Sequence, residues 1–355
     1  MTSEPITIFS FTFNTQSCRL AESMDSDIVR EHREGSASYW RYEAYIPDFW
    51  PTLSNKIKEK KPTIVAIGFQ EDVYPGSYFH SHLLPEEMPK LGYTLFDRVK
   101  LMGVGRTSFM GLGRADPFVR GLRLSIYLRA NAVGKIRKEY APNTYTNSIF
   151  QNKGAVGIRL TLPDKRVLAI LNAHLPFDAK SLRDSVHKQD PYIRQDAVFV
   201  QNQFYNETYR RLFIAPSADV VIFMGDLNYR MAPYLNWSAE QTGTDLLEHP
   251  EKAMQGDELR YQMNKGNVYA LFEGIDNLGP QFLPTCKMQK GRLSSINAEI
   301  TIESYSLGKE DQRVPSYCDR ILYSSGVNCL EYDRFDVDMM NKSDHAGVIG
   351  LYVVS

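Results

Sequence analysis

Asp226 and Asn228 stand two residues apart where the apolar run DVVIFMGDLNYR (219–230) reaches its glycine. On a continuing strand both side chains would project from one face. A carboxylate beside an amide suits a general base with an orienting donor for an attacking water. Gly-Asp and Asn are also ordinary turn residues, so this pair by itself fits a turn at least as well. Other apolar runs end in the same manner. TIFSFTFNTQ carries Asn14 and TIVAIGFQED carries Glu71. A hard cation such as Mg2+ takes one or two carboxylates together with neutral oxygens and water, which makes these two a plausible ligand set. RVLAILNAHLP presents His174, PSYCDRILYSS presents Asp319, and NKSDHAGVIGLYVV presents Asp344 and His345. A buried carboxylate that orients a histidine and stabilises its charged form is a recurring catalytic pair. Asp319 and His345 suit that role, leaving Asp344 for a metal, directly or through water. Taken singly, each of these residues reads as a strand cap or a solvated loop group. Together they point to a hydrolytic centre around a divalent cation.

The elements that must hold them are strands. Short β-branched or aromatic runs recur throughout: ITIFSFTF, TIVAIGFQ, YTLFDRVKLM, LRLSIYLR, AVGIRLTL, RVLAILNAH, DVVIFMGD, DRILYSS and HAGVIGLYVV. Stretches long enough for helices lie between them, chiefly 39–60, 181–213 and 239–265. No helix separates 92–104 from 121–130, or 156–162 from 166–174, which predicts antiparallel pairing there. Two sheets packed face to face with outer helices would bury this many strands. A rigid sheet would fix the polar groups at its ends and leave those ends open to a ligand.

The chain has 355 residues, 43% hydrophobic and 23% charged, enough to bury a large core. No repeat or Gly/Ser/Pro-rich linker divides it, so a single domain over 1–355 is expected. Its net charge of −1 argues against a protein that coats nucleic acid. Four cysteines (Cys18, Cys286, Cys318, Cys329) are too few and too irregular for a disulfide framework or a zinc ribbon. The first residues lack the pattern of a secretory signal, and no apolar run approaches the roughly 20 residues of a membrane span. A cytoplasmic protein, with membrane contact at most peripheral, is expected.

GDLNYR together with PSYCDRIL resembles the signature motifs of the inositol polyphosphate 5-phosphatases, within the DNase I-like (endonuclease/exonuclease/phosphatase) superfamily. FTFN, GFQE, QNKGAVGIRL, NAHLP, FLPTCK and SDH match in the same order, so the resemblance covers about residues 6–353. GD-x-N and SDH are shared with nucleases and sphingomyelinases; the Tyr-Arg after GDLN and the PSYCDRIL run are more specific. The resemblance implies an α/β four-layer sandwich of two mostly antiparallel sheets with outer helices. It implies a Mg2+-dependent phosphomonoester hydrolase that removes the 5-phosphate from an inositol phosphate or phosphoinositide by direct attack of water. Asn14 and Glu71 would hold Mg2+ with Asp344 nearby. Asp226 would activate the water and Asn228 would position it. His174 and His345 would contact the phosphate, with Asp319 orienting His345. Asn152, Lys153, Lys287 and Arg313 would bind the other ring phosphates through charge-assisted hydrogen bonds.

The sequence also departs from the family pattern. Cys286 stands where the family has Tyr, and Asp311 stands two before Arg313, where Lys is frequent. An acid there repels a phosphate, so a preference for a 4,5-bisphosphate pattern does not carry over. Gln151 replaces the usual Gly before NKG, and HAGV replaces HKPV after SDH. Separately, CKMQKGR (286–292) fits the C-x5-R pattern of cysteine-dependent phosphatases, in which a thiolate attacks phosphate and Arg292 would clamp it. Thr285 and Leu293 replace that motif's usual His and Ser/Thr, and no apolar strand leads into it, so the match reads as coincidence. A nuclease on the same scaffold is the other alternative. The loops VYPGSYF (73–79) and APYLNW (232–237) are the sequence's candidates for bilayer contact.

Overall fold

The computed structural model describes residues 4–15, 49–74, 80, 83–102, 119–140, 144–146, 153–178, 195–214, 217–231, 249, 254–289, 304–305, 314–336 and 343–355. The strands are β1 (Ile6–Asn14), β2 (Ile64–Tyr74), β3 (Tyr93–Met102), β4 (Val119–Arg129), β5 (Arg137–Glu139), β6 (Thr144–Tyr145), β7 (Gly154–Thr161), β8 (Val167–His174), β9 (Val220–Asp226), β10 (Phe272–Glu273), β11 (Asp319–Tyr323), β12 (Val327–Phe335) and β13 (Gly347–Val354). The helices are α1 (Phe49–Lys60), α2 (Leu84–Lys90), α3 (Gln195–Tyr209) and α4 (Glu258–Asn264). One sheet runs β12-β13-β1-β2-β4-β3 and the other β10-β11-β9-β8-β7-β5, with β6 also on β7.

Period-2 patterning builds the layers. Phe9, Phe11 and Phe13 of β1 and Val65, Ile67 and Phe69 of β2 pack under α1 and α2. Ile8, Ile64 and Ala66, on the alternate positions, meet Leu168, Ile170, Val220, Ile222 and Met224 of the second sheet. Ala169, Leu171, Val221 and Phe223 then turn outward against α3 and α4. Side chains alternate across a strand, so runs that are apolar at every position must be covered on both faces. The order is helix, sheet, sheet, helix, as the sequence predicts. Each sheet is antiparallel except for one pair: β1 with β2 in the first, β8 with β9 in the second.

The predicted pairings β3–β4 and β7–β8 are both present and antiparallel. Of the helical stretches, the described parts are α1, α3 with a wider turn over Arg210–Ile214, and α4. Five of these elements escaped the sequence reading: the short β5, β6 and β10, and also β12 and α2. β12, VNCLEYDRF, alternates apolar and polar on an edge of the sheet, so it shows no continuous apolar run. α2, LPEEMPK, is bracketed by prolines. Among the described residues no helix is long and apolar enough to cross a membrane. Both loops proposed for bilayer contact lie essentially outside the described residues.

His80 gives the first sheet a pH dependence. It is fully buried, its Nδ1 is 2.9 Å from Ser125 Oγ, and its ring sits edge-on to Phe69 at 4.6 Å. Burial first, then the Arg123 and Arg98 charges, pushes its pKa well below the ordinary imidazole value. The unfolded chain therefore binds a proton below about pH 6.5 that the folded chain refuses, and stability falls as pH drops through that point. The expected loss from this residue is about 1.4 kcal/mol per pH unit. Urea unfolding at pH 7 and pH 5.5 measures it, and His80→Gln should flatten the acid-side slope by about one proton.

Candidate active site

The two parallel pairs explain why the polar residues gather. Parallel strands end on the same edge, and antiparallel neighbours begin there. Asn14 closes β1 opposite Gln70 of β2, and Glu71 follows in β2 at a register shift. His174 closes β8 level with Asp226, the end of β9, and Asp319 opens β11 opposite the same Asp226. His345 comes two residues before β13. Gly68 lets the sheets close here, since a Cβ on it would lie 2.8 Å from Asn172 Cγ. Beneath the site Gln70 Nε2 donates to Thr12 Oγ1 (2.9 Å) and to Asn172 Oδ1 (2.5 Å). Asn172 Nδ2 donates in turn to the carbonyls of Phe69 and Arg123. This buried polar bridge fixes one sheet against the other.

Asp226 is the hub. Its Oδ2 accepts from Asn14 Nδ2 at 2.7 Å and lies 3.2 Å from His174 Nε2 and 4.0 Å from His345 Nε2. Its Oδ1 accepts from the Asn228 backbone N–H at 3.0 Å. Burial opposes the charge on Asp226. The His174 contact and the nearby His345 and Lys153 charges outweigh it and hold the carboxyl well below the usual range. His174 is lowered, by burial and then by Lys153, against the pull of Asp226 and Glu71. His345 Nδ1 is 2.8 Å from Asp319 Oδ2, the predicted pair. Burial disfavours the imidazolium, but the Asp319 charge, with Cys286 and Asp226, raises His345 well above an ordinary histidine. Thr285 secures the pair: its Oγ1 donates to Asp319 Oδ2 at 2.8 Å and accepts from the Asp319 N–H at 3.2 Å.

Asn228 reaches Asp226 by a different route from the one expected. The strand stops at Asp226, and Asn228 sits at φ 59°, so the two do not share a strand face. A turn joins them instead, through the backbone N–H of Asn228 to Asp226 Oδ1, a contact Asn readily makes at positive φ. The Asn228 side chain donates to Leu175 O at 3.0 Å and accepts from Arg230 Nη2 at 2.7 Å. Glu71 also stands at positive φ, 51°. Non-glycine residues held there mark places where the fold enforces a geometry.

The metal set fits in its chemistry. Asn14, Glu71 and Asp344 are hard oxygen donors of the kind Mg2+ and Ca2+ take. Donation of Asn14 Nδ2 to Asp226 identifies that atom as the nitrogen and orients the amide oxygen away from the carboxylate. Glu71 Oε1 lies 3.9 Å from His174 Nε2. Asp344 Oδ1 is 3.7 Å from His345 Nε2, and its Oδ2 is 3.4 Å from Lys287 Nζ. Among the described residues Asp226, Asp319 and His345 form a group of carboxylate and imidazole donors within 4.8 Å of one another. Asp319 Oδ1 in it is buried without a hydrogen-bond partner.

The two lysines proposed for the ring phosphates both lie beside the site. Lys153 Nζ lies against His174 Nε2, inside the site. The reason is register: Gly154 pairs with His174, which brings Lys153 beside it. Lys287 pairs with Asp344, because Cys286 bridges His345 antiparallel and sets their neighbours opposite. Asn152 and Arg313, like Gln151, Asp311 and Arg292, lie outside the described residues.

Cys286, 1% exposed, lies in bridges to Ser316 and His345 rather than at the head of a helix. Its Sγ is 3.6 Å from His345 Nε2. The sequence reading missed Thr285 and Arg230 as site residues. Arg230 was visible in GDLNYR, but nothing in the sequence shows that its side chain is buried.

The family described as Endonuclease/Exonuclease/phosphatase family 2 matches residues 11–351. Type II inositol polyphosphate 5-phosphatase 14 of Arabidopsis thaliana is 27% identical over 294 residues, 73% of this chain and 24% of that protein. Polyphosphatidylinositol phosphatase INP53 of Saccharomyces cerevisiae is 29% identical over 205 residues, 57% of this chain and 16% of that protein. The chain thus spans 24% or less of the length of these relatives. Among solved structures, the inositol polyphosphate 5-phosphatase domain of SPsynaptojanin, in complex with inositol (1,4)-bisphosphate and a calcium ion, gives a TM-score of 0.62 at 20% identity. It covers 99% of this chain and 84% of that one. The Cimex nitrophorin ferrous NO complex gives 0.58 at 13% identity and covers 100% of both chains. These two likenesses show the DNase I-like fold, and a fold by itself does not fix a function. The match across nearly the whole length, with the motifs in order, means that the chain belongs to the endonuclease/exonuclease/phosphatase family 2, and the curated relatives it resembles include inositol polyphosphate 5-phosphatases and a polyphosphatidylinositol phosphatase.

Proposed function

We propose that the chain hydrolyses a phosphate monoester, removing the 5-phosphate from an inositol phosphate or a phosphoinositide with a divalent cation, Mg2+, as cofactor. The observation that carries this reading is the single carboxylate oxygen, Asp226 Oδ2, approached by Asn14 at 2.7 Å, His174 at 3.2 Å and His345 at 4.0 Å from separate strand ends. Asp226, kept ionised, accepts a proton from the attacking water, and Asn228, held by its turn, fixes the carboxylate's other oxygen. His345, kept charged by Asp319, donates to a phosphate oxygen, with His174 and the Lys153 beside it also close to Asp226. Asn14 and Glu71, with Asp344 nearby, would hold a hard divalent cation, which when bound would supply neutralisation of the phosphate charge. The similarity to proteins named as inositol polyphosphate and polyphosphatidylinositol phosphatases supports the substrate class.

A panel of soluble inositol phosphates and phosphoinositide vesicles, with and without Mg2+, tests the proposal. Phosphate release that requires Mg2+ is expected from at least one class, and the panel separates lipid from soluble substrate. A cysteine mechanism is a second reading, favoured by Cys286 lying 3.6 Å from His345 Nε2. Cys286→Ser should leave activity largely intact if Asp226 activates water, and abolish it if sulfur attacks. A nuclease would nick plasmid DNA in a parallel assay; the net charge of −1 counts against it.

A further inference from the structure

Cys286 and Cys318 bring two free, buried thiols together beside His345. Cys286 stands where the family pattern has Tyr, so this pairing is a departure from that pattern. Its N–H donates to Ser316 O at 3.0 Å in an antiparallel bridge. Cys318 follows two residues later, which returns its side chain toward Cys286. The two sulfurs lie within hydrogen-bond reach of each other. Around them, Arg230 Nη1 donates to Cys286 Sγ at 3.4 Å, His345 Nε2 is 3.6 Å from the same sulfur, and Cys318 Sγ is 3.6 Å from Tyr229 O. The contact with Cys318, then the His345 and Arg230 charges, holds the Cys286 thiol well below its ordinary value against the pull of burial. Burial, then the contact with Cys286, pushes the Cys318 thiol well above that value. A thiolate beside a protonated thiol is the arrangement in which one sulfur meets an oxidant and its neighbour resolves the product.

Access to the sulfur comes from the site itself, and here the inference rests on the hydrolase reading. Water must reach Asp226 Oδ2 and His345 Nε2, and hydrogen peroxide is little larger than water. The oxidant thus arrives one contact from Cys286 Sγ. The geometry points to a peroxide-sensitive dithiol in which Cys286 is oxidised, Cys318 resolves it, and the Cys286–Cys318 disulfide switches the hydrolytic centre off. The Cys286 sulfur attacks one peroxide oxygen. An S–O bond forms, the O–O bond breaks, and the departing hydroxide leaves as water with the proton that Cys286 gave up. The Cys318 sulfur then attacks the Cys286 sulfenic acid. An S–S bond forms, the S–O bond breaks, and the second hydroxide leaves as water with the Cys318 proton. Two thiols lose two electrons, and one peroxide becomes two waters. The disulfide draws Cys286 Sγ away from Arg230 and His345. It also joins the residues next in sequence to Thr285 and Asp319, which hold the Asp319–His345 pair in place. A displacement of about 1 Å at such a pair costs about a hundredfold in rate.

The test uses the full chain, oxidised with a small excess of hydrogen peroxide, alkylated, and mapped by peptide mass spectrometry. Phosphate release is followed in parallel on the substrate that the panel selects. Wild type should yield the Cys286–Cys318 linked peptide and lose roughly 10–100-fold in release as the link accumulates. Dithiothreitol should reverse both. Cys318→Ala should form no link, carry Cys286 on to the sulfinic acid, and fail to recover in dithiothreitol. Cys318→Ser should behave alike and covers a failure of Cys318→Ala to fold. Cys329→Ala, on β12, should still form the link. The proposal is overturned if folded wild type gives no such peptide, if the link forms without loss of release, or if the Cys318 variants recover as wild type does. A protein that forms the link but releases phosphate from no inositol compound before oxidation would sink the substrate reading and leave the dithiol chemistry standing. Release that proceeds with no link ever forming would do the reverse.

Discussion

Asp226→Asn is expected to lower the rate of phosphate release by about 10²–10⁴, the usual contribution of a positioned general base. The substitution keeps the shape of the side chain and an oxygen for Asn14, so the circular dichroism spectrum should match wild type. What it removes is the charge that His174, His345 and Lys153 are arranged around. Steady-state release at saturating substrate and Mg2+ measures the effect. A variant within about threefold of wild type would mean that another group takes the proton, and the catalytic part of the account would fail.

The second large effect falls on stability. Arg320 follows Asp319 in β11 and is fully buried. Its Nη1 and Nη2 reach Asp257 at 2.8 and 3.3 Å, and its Nε reaches Glu273 Oε1 at 2.6 Å. Tyr332 OH adds a bond to the same Glu273 oxygen at 2.7 Å. Asp257 also caps α4, accepting from the Arg260 N–H. One guanidinium therefore serves two buried carboxylates, next in sequence to Asp319. Arg320→Met would leave both uncompensated, and a loss of about 3–5 kcal/mol is expected from urea unfolding at neutral pH. The sign with pH follows from the same physics. Burial raises Asp257, and without the arginine this carboxyl would bind a proton more readily folded than unfolded. Stability of the variant should then fall as pH rises, so the loss should be smaller at pH 5 than at pH 8. An equal loss at both would place the cost in packing.

Much of this site was readable before any coordinates. Acid, amide and imidazole groups closing apolar runs suggested one working edge, and the two parallel strand pairs bring those closures together. What could not be read was register and backbone turn. That Lys153 stands beside His174 could not be read, because nothing in NKG reveals that Gly154 pairs with His174. Asn228 looked like a strand neighbour of Asp226 because nothing in GDLN announces a residue at φ 59°. Thr285 and Arg230 were quoted in motifs without a role, since their value comes from burial and from partners far along the chain. Thr285 reaches Asp319, and Arg230 reaches Cys286. The Gln70–Asn172 bridge was invisible for the same reason: both residues lie in runs that read as ordinary strand, and only the face-to-face packing of the sheets brings them to 2.5 Å.

The nitrophorin likeness sharpens the point about warrant. A chain with this fold carries NO in one case, so the phosphatase reading has to stand on side chains. Its base is the oxygen-donor set beside the histidines, and Glu71, held at a φ of 51°, is a carboxylate proposed for the cation. The deciding measurement is the Mg2+ concentration giving half-maximal phosphate release in wild type and in Glu71→Gln. The account predicts that the variant needs at least about tenfold more Mg2+ and recovers activity as the ion is raised. The same Mg2+ dependence in both proteins, or release that survives excess chelator, would contradict it.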